Sequence, residues 1–242
     1  MKRVGKRSLQ AGLLALCGLG LLHVSLFTDL CLRYVKEGMR LPLIASGVVL
    51  LLLGITSAAL DRTERTEEPH DHSGLPRVSW LLLLPALSLL LYAPPALGAY
   101  TAARQPAKTV THDSDFDPLP ATSPLPMTLS DFTSRVREDR GQAIKGRTIR
   151  MTGFVTPLSG TRGGGWELTR IILNCCAADA QSVKVRIYGG PGLPADTWVT
   201  VTGTWHPGGR LGTRSAPVAL DARTVTKVPR PSNGYQDALP LR

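Results

Sequence analysis

The pattern of apolar and polar positions changes near residue 100. Before that point, three apolar runs without a charged residue occupy about 8–27, 41–60 and 78–100. Each has the length that an α-helix needs to cross roughly 30 Å of hydrocarbon, and a helix satisfies its own backbone hydrogen bonds in lipid. The pattern predicts a transmembrane domain over residues 1–100 with three helices.

The start of the chain is basic, with Lys2, Arg3, Lys6 and Arg7, and this is also typical of a signal peptide. The first run is long for a signal core, lacks a clear small-x-small cleavage site and precedes two more runs, so we interpret it as a retained helix. With the N-terminus inside, seven basic residues flank the spans on the cytoplasmic side and three on the outer side. The positive-inside rule then predicts a plasma-membrane protein with an extracytoplasmic C-terminal domain.

The rest of the chain begins with a segment of linker composition, residues 101–126, which is rich in Pro, Ser, Thr and Asp. In the following domain, residues 127–242, a short helix is predicted over about 130–140 with Ser130 as its N-cap. Alternating polarity then predicts five strands. These are residues 147–155, 166–173, 182–189, 197–205 and 216–228.

Five short strands with glycine at the bends favour a small OB-like barrel, although a two-sheet sandwich fits the alternation almost as well. The predicted fold class is an α+β membrane protein: three N-terminal transmembrane helices, then a five-stranded all-β domain with one short helix.

The formal net charge of the chain is +10, of which residues 101–242 carry +7. Such an excess suits an anionic lipid surface or an acidic partner. The basic residues are scattered and no basic block is interleaved with aromatics, so no nucleic-acid partner is expected. No Ser-His-Asp, phosphate-loop or ATPase motif is present, and the sequence does not predict an enzyme.

Three histidines are candidate functional residues. His23 lies late in the first apolar run, where an imidazole is costly to bury and is a functional candidate; it could instead lie at the interface. His70 and His72 flank Asp71 in the loop between the second and third runs. Such side chains can contact zinc or another divalent metal, and the alternative is an ordinary solvated loop.

Cys175 and Cys176 are adjacent at the end of the second predicted strand, in the segment TRIILNCCAADA. Neighbouring side chains on a regular strand point to opposite faces, so both thiols can reach one metal only if the backbone bulges or turns. Three interpretations stay open: a strained redox pair, half of a metal site completed by Asp179 or His206, or one packed and one partly exposed thiol. No CxxC or CxxH spacing supports a tetrahedral zinc site.

The segment RIILNCCAADA and the later DTWVTVTGTW, together with His23 and the loop that holds His70 and His72, resemble the YcgQ-like family of bacterial membrane proteins. That family is described as a subunit of a two-component membrane permease complex. The resemblance implies a larger multi-span permease subunit as partner, with no established substrate or catalytic residue. The corresponding loop in the family is often richer in His, which weakens a metal-delivery role here.

The leading hypothesis is therefore an accessory permease subunit whose outer barrel binds a partner or ligand. Candidates for that surface are Trp166, Trp198, Trp205 and Tyr188, although side chains of this kind more often belong to a core. The alternative is a membrane-anchored thiol redox or metal-binding protein that uses Cys175 and Cys176. A nucleic-acid-binding barrel is a third hypothesis, which the extracytoplasmic location disfavours.

Overall fold

The computed structural model describes residues 6–63, 96–108, 116–158, 165–232 and 234–239. The chain forms two compact units, Met1–Ala96 and Leu97–Arg242. We describe each unit separately.

The first unit is built on a pair of antiparallel helices, α1 (Lys6–Leu26) and α2 (Arg40–Thr63). Short 3₁₀ turns at Cys31–Arg33 and Glu37–Met39 connect them. Arg40 ties the pair together, because its Nε donates to the Ser25 carbonyl oxygen at 2.6 Å and its Nη1 lies 3.5 Å from the Asp29 carboxylate. A cation at the C-terminal end of α1 also complements the dipole of that helix.

Small residues line the contact between the two helices. A Cβ added at Gly54 of α2 would lie 2.7 Å from the Ala15 backbone nitrogen and 2.9 Å from the Ala11 carbonyl oxygen on α1. One added at Gly18 of α1 would lie 2.8 Å from the Gly47 carbonyl oxygen. The two backbones can approach this closely only because these positions lack side chains, as at small-residue contacts between membrane helices.

The described residues contain one helix that is long and apolar enough to cross a membrane, Glu37–Leu60, by length and composition only. The apolar stretch of α1 among the described residues, Gln10–Leu26, is shorter. The third predicted span lies outside the described residues as far as residue 95. One candidate span thus replaces the predicted three among the residues that the structure describes.

The second unit is a closed five-stranded barrel with one additional strand. The strands are β1 (Leu125–Pro126), β2 (Thr148–Pro157), β3 (Trp166–Ile172), β4 (Gln181–Tyr188), β5 (Trp198–Trp205) and β6 (Ala219–Lys227). The barrel order is β2-β3-β4-β6-β5, and antiparallel pairing between β5 and β2 closes it. The alternation predicted every barrel strand to within three residues at each end, and the closure rules out the two-sheet sandwich.

Strand β2 pairs with two neighbours, and its partner changes next to Gly153. Its first part, Thr148–Phe154, pairs with β5, whereas Phe154–Pro157 pairs with β3. A Cβ at Gly153 would lie 2.7 Å from the Thr169 carbonyl oxygen. Glycine at this position therefore permits the close approach of β2 to β3.

The barrel interior is apolar and fully closed to water. Ile149, Val155, Leu168, Val185 and Val201 are each 0% exposed. These positions alternate with outward residues along each strand, which is the pattern that predicted them.

A short helix, α3 (Ala99–Arg104), precedes the barrel, and a second, α4 (Leu129–Glu138), packs against it. The N-cap of α4 is Thr128, whose hydroxyl accepts from the Asp131 backbone N–H at 3.1 Å. The prediction of Ser130 as N-cap is wrong because Ser130 is already helical, and its backbone N–H donates to Asp237.

The C-terminal tail fastens these elements to the barrel. The Asp237 carboxylate accepts from the backbone N–H groups of Leu129 and Ser130. Arg170 of β3 is 1% exposed, and its Nε donates to the Thr152 carbonyl oxygen at 2.9 Å. Burial lowers the pKa of Arg170, and the Asp237 carboxylate opposes that effect.

Part of the segment predicted as a linker packs on the barrel. Ala107 forms a parallel bridge with Ser182, and the Lys108 backbone N–H donates to the Ser182 carbonyl oxygen at 2.7 Å. Farther along, β1 pairs with β2. These contacts use backbone groups, which the composition of the segment does not reveal.

Candidate functional site

The two adjacent cysteines lie on an exposed turn between β3 and β4. Strand β3 ends at Ile172, and a 3₁₀ turn at Ala177–Asp179 leads into β4. The Sγ atoms of Cys175 and Cys176 are 3.6 Å apart. Because the strand ends before the cysteines, the alternation that would send their side chains to opposite faces does not apply, and the backbone turn brings both sulfurs together.

Asp179 holds this turn in shape. Its carboxylate accepts from the Asn174 backbone N–H at 3.0 Å and from the Cys175 backbone N–H at 2.8 Å. These backbone hydrogen bonds, of which that from Cys175 contributes most, lower the pKa of Asp179. The carboxylate that was predicted as a metal ligand thus serves here as an acceptor for its own turn.

The same carboxylate makes Cys175 a weak acid. A hydrogen bond to Asp179, followed by one to Cys176, raises the pKa of the Cys175 thiol to about 11. A thiolate is the reactive form of cysteine, and reactive cysteines normally have a lowered pKa. Cys175 is therefore held as a thiol near neutral pH, and all four cysteines are free.

The donor groups around the turn do not fit a tetrahedral zinc site. Zinc in structural sites takes four nitrogen or sulfur ligands. No group of three or more His, Cys, Asp or Glu in the described part of the chain is placed to hold a metal ion. His206, the other residue considered as a ligand, uses its Nδ1 for Asp221 at 2.7 Å.

His206 belongs instead to a second polar cluster, on the outer surface of the barrel. It follows β5 directly, and its ring stacks on Tyr188, with ring centroids 4.1 Å apart. The guanidinium of Arg186 lies 5.4 Å from the centre of the Tyr188 ring. His206 and Asp221 are both partly exposed, at 33% and 44% of their side chains. This cluster presents an aromatic and charged surface to solvent.

The three tryptophans named from the sequence contribute less to the surface. Trp166 is 4% exposed and belongs to the barrel core. Trp198 is half-buried between Phe154 and the guanidinium of Arg170, and Trp205 donates from its indole N–H to the Pro217 carbonyl oxygen at 3.0 Å. Of the four aromatic candidates, Tyr188 is the one classed as exposed, at 38%.

The histidines of the first unit are placed differently. His23 is on the exposed side of α1, and its ring lies 5.8 Å from that of Phe27. His70 and His72 lie outside the described residues. The structure therefore gives no geometry for the predicted metal contact of that loop.

Comparison with known protein families bears on the second unit. Residues 131–236 match the family model of the DUF1980 C-terminal domain. The matched segment includes most of α4, the five barrel strands and part of the tail, and it comprises less than half of the chain. The match supports an uncharacterised domain family and assigns no activity. Comparison with curated proteins and with solved structures gave no match.

Sequence reasoning missed two residues that organise these sites. Asp221 was not recognised because it is fifteen positions from His206 and lies inside a strand pattern. Asp237 was missed because its partners on α4 are more than one hundred positions away. The available signal was an acidic residue within an otherwise apolar or basic segment, which by itself does not identify a partner.

Proposed function

We propose that the protein is an accessory subunit of a bacterial membrane permease complex. Its helix pair would lie in the plasma membrane beside a multi-span partner, and its barrel would bind a partner segment or ligand outside the cytoplasm. The resemblance to the YcgQ-like family and the distribution of basic residues support this assignment of partner and orientation.

The observation that carries the proposal is the apolar outer surface of the helix pair. Thirteen of the sixteen large hydrophobic side chains that the described residues expose lie between Leu13 and Leu60. Helix α2 has 24 residues, which corresponds to about 36 Å at 1.5 Å per residue. An apolar surface of this kind is stabilised by lipid or by neighbouring helices rather than by water.

The start of the second unit also suits a membrane interface. Tyr100 on α3 is 72% exposed, and the Arg104 guanidinium lies 3.6 Å from its ring centroid. In the sequence, Tyr100 ends the third apolar run. Tyrosine is enriched where membrane helices meet water.

The experiment is to purify the tagged full-length protein from its native membranes in several mild detergents and identify what accompanies it. We expect a multi-span protein in about equal amount. A matched test replaces Leu52 and Leu53, which are exposed on α2, with glutamine, and this variant should lose the partner. Recovery of the wild-type chain alone from every detergent would contradict the proposal.

A second candidate function is a membrane-anchored thiol protein that uses Cys175 and Cys176, and the short distance between the sulfurs favours it. The raised pKa of Cys175 disfavours a nucleophilic redox role. A variant with Cys175→Ser and Cys176→Ser that retains the partner would separate the two functions. Loss of the partner in a correctly folded double variant would tie the thiols to assembly.

A further inference from the structure

The turn between β3 and β4 presents two thiols to solvent in a fixed arrangement. Cys175 is exposed and Cys176 is half-buried, and their sulfur atoms are 3.6 Å apart. The backbone N–H groups of Asn174 and Cys175 donate to the Asp179 carboxylate, and these two hydrogen bonds stabilise the turn. A ligand that bridges both sulfurs therefore meets a site whose backbone is already ordered, which lowers the entropy lost on binding.

The residues around the two thiols limit how many protein ligands a centre bound at this site can have. The described residues provide no third and fourth His, Cys, Asp or Glu for a metal that needs four protein ligands. The carboxylate of Asp179 is engaged by backbone N–H groups. The site thus suits a soft, thiophilic centre that is satisfied by two sulfur atoms.

We propose that Cys175 and Cys176 form a dithiol site for a trivalent arsenical. A compound R–As(OH)₂ would react with the two thiols to give R–As(SCys)₂ and two water molecules. Two As–O bonds break and two As–S bonds form, each thiol proton leaves with a hydroxyl group as water, and no atom changes oxidation state. The reaction requires no oxidant, reductant or metal ion.

The chemistry agrees with the local electrostatics. Binding of a metal cation to thiols must remove their protons into solution, and the Asp179 carboxylate opposes formation of the Cys175 thiolate. Exchange of arsenic-bound hydroxyl groups for thiols releases water instead of protons. The arsenical adduct therefore forms without leaving a thiolate charge beside the Asp179 carboxylate.

This inference does not depend on the permease partner, because it is read out on the purified chain. The probe is phenylarsine oxide, added to the reduced full-length protein in detergent, in a Cys17→Ser/Cys31→Ser background that leaves only the two adjacent thiols. We expect one equivalent to remove both thiols from reaction with a thiol reagent. Intact mass measurement should show one phenylarsenic group on each chain.

Bridging should make the adduct resistant to monothiols. The second As–S bond forms within the molecule, and intramolecular linkage of this kind raises affinity by roughly 10²–10⁴-fold. Excess 2-mercaptoethanol should leave the adduct intact, whereas 2,3-dimercaptopropanol should remove it. Cys175→Ser and Cys176→Ser should each weaken retention at least about 100-fold, with the circular dichroism spectrum unchanged.

Two results would overturn the proposal. One is complete release of the adduct from the background variant by excess 2-mercaptoethanol. The other is a protein in which one equivalent of phenylarsine oxide leaves the two thiols fully reactive. Both are measured on the background variant itself, so they remain decisive if a serine variant fails to fold.

Discussion

The acidity of Cys175 can be tested by removing the group that suppresses it. Asp179→Asn keeps an oxygen that can accept from the backbone N–H groups of the turn, but it removes the carboxylate, whose hydrogen bond with the thiol is the largest cause that raises the pKa of Cys175 from 9.0 to about 11. The test uses a chain in which Cys17, Cys31 and Cys176 are serine. Cys175 is then the one thiol that can react with the reagent, and Asp179, the largest cause of its raised pKa, is retained.

The two pKa values set the upper limit of the effect, because the test chain also lacks Cys176, the second-largest cause of the raised pKa. At pH 8, a thiol of pKa about 11 is ionised in roughly one molecule in a thousand and one of pKa 9.0 in roughly one in ten. The more basic thiolate is the better nucleophile, with a Brønsted coefficient of about 0.4–0.5, so the hundredfold gain in thiolate becomes roughly a tenfold gain in rate.

The assay is the rate of reaction with 4,4′-dithiodipyridine from pH 7 to 11. Because the Asp179 carboxylate raises the pKa and favours the thiol, the rate of the Asp179-containing protein should reach half its plateau at a higher pH than that of Asp179→Asn. Asp221→Asn removes one negative charge that holds His206 rather than the thiols, and it should leave the rate unchanged. Equal rates with and without the Asp179 carboxylate at pH 8 would refute the reasoning.

Three further predictions concern stability, measured as thermal or denaturant unfolding of the full-length protein in detergent. Gly54→Ala should weaken the helix pair by about 1–3 kcal/mol, because the added Cβ meets backbone atoms of α1. Gly153→Ala should destabilise the barrel by a similar amount, since its Cβ meets the Thr169 carbonyl oxygen. Asp237→Ala should lower the free energy of unfolding by about 2–3 kcal/mol, because it removes both hydrogen bonds to α4 and the charge beside Arg170.

Matched glycines provide the controls. A Cβ at Gly12 of α1, or at Gly192 in the loop between β4 and β5, would meet nothing within 4 Å. Gly12→Ala and Gly192→Ala should therefore unfold close to wild type. If either destabilises the protein as much as Gly54→Ala or Gly153→Ala, steric contact is not the reason. Wild-type stability of Asp237→Ala would show that the tail does not fasten α4.

The strands were predictable because their signal is local. Along β4, Val183, Val185 and Ile187 face the core, and their alternation with polar residues is visible without any knowledge of the fold. The helix cap was less certain because several residues near position 130 can cap a helix. Thr128 is the cap because the helix begins at Leu129. Periodicity locates the start of a helix only to within a few positions.

The arrangement of the candidate site could not be predicted in the same way. The sequence showed two adjacent thiols and an acidic residue four positions from the first. Whether the sulfurs point apart or together depends on where β3 stops, and β3 stops where its pairing with β4 ends, at Ile172 opposite Gln181. The site is thus a consequence of register between strands.

By itself, the sequence determined the apolar runs, the strand alternation and the change in character near residue 100, because these features depend only on residues that are close together along the chain. Only the tertiary structure decided the closure of the barrel through β2 and β5, the contact of Asp237 with α4, and the 3.6 Å approach of the two sulfurs. These contacts join positions whose separation along the chain carries no periodic signal, so they arise only once the topology brings the residues together.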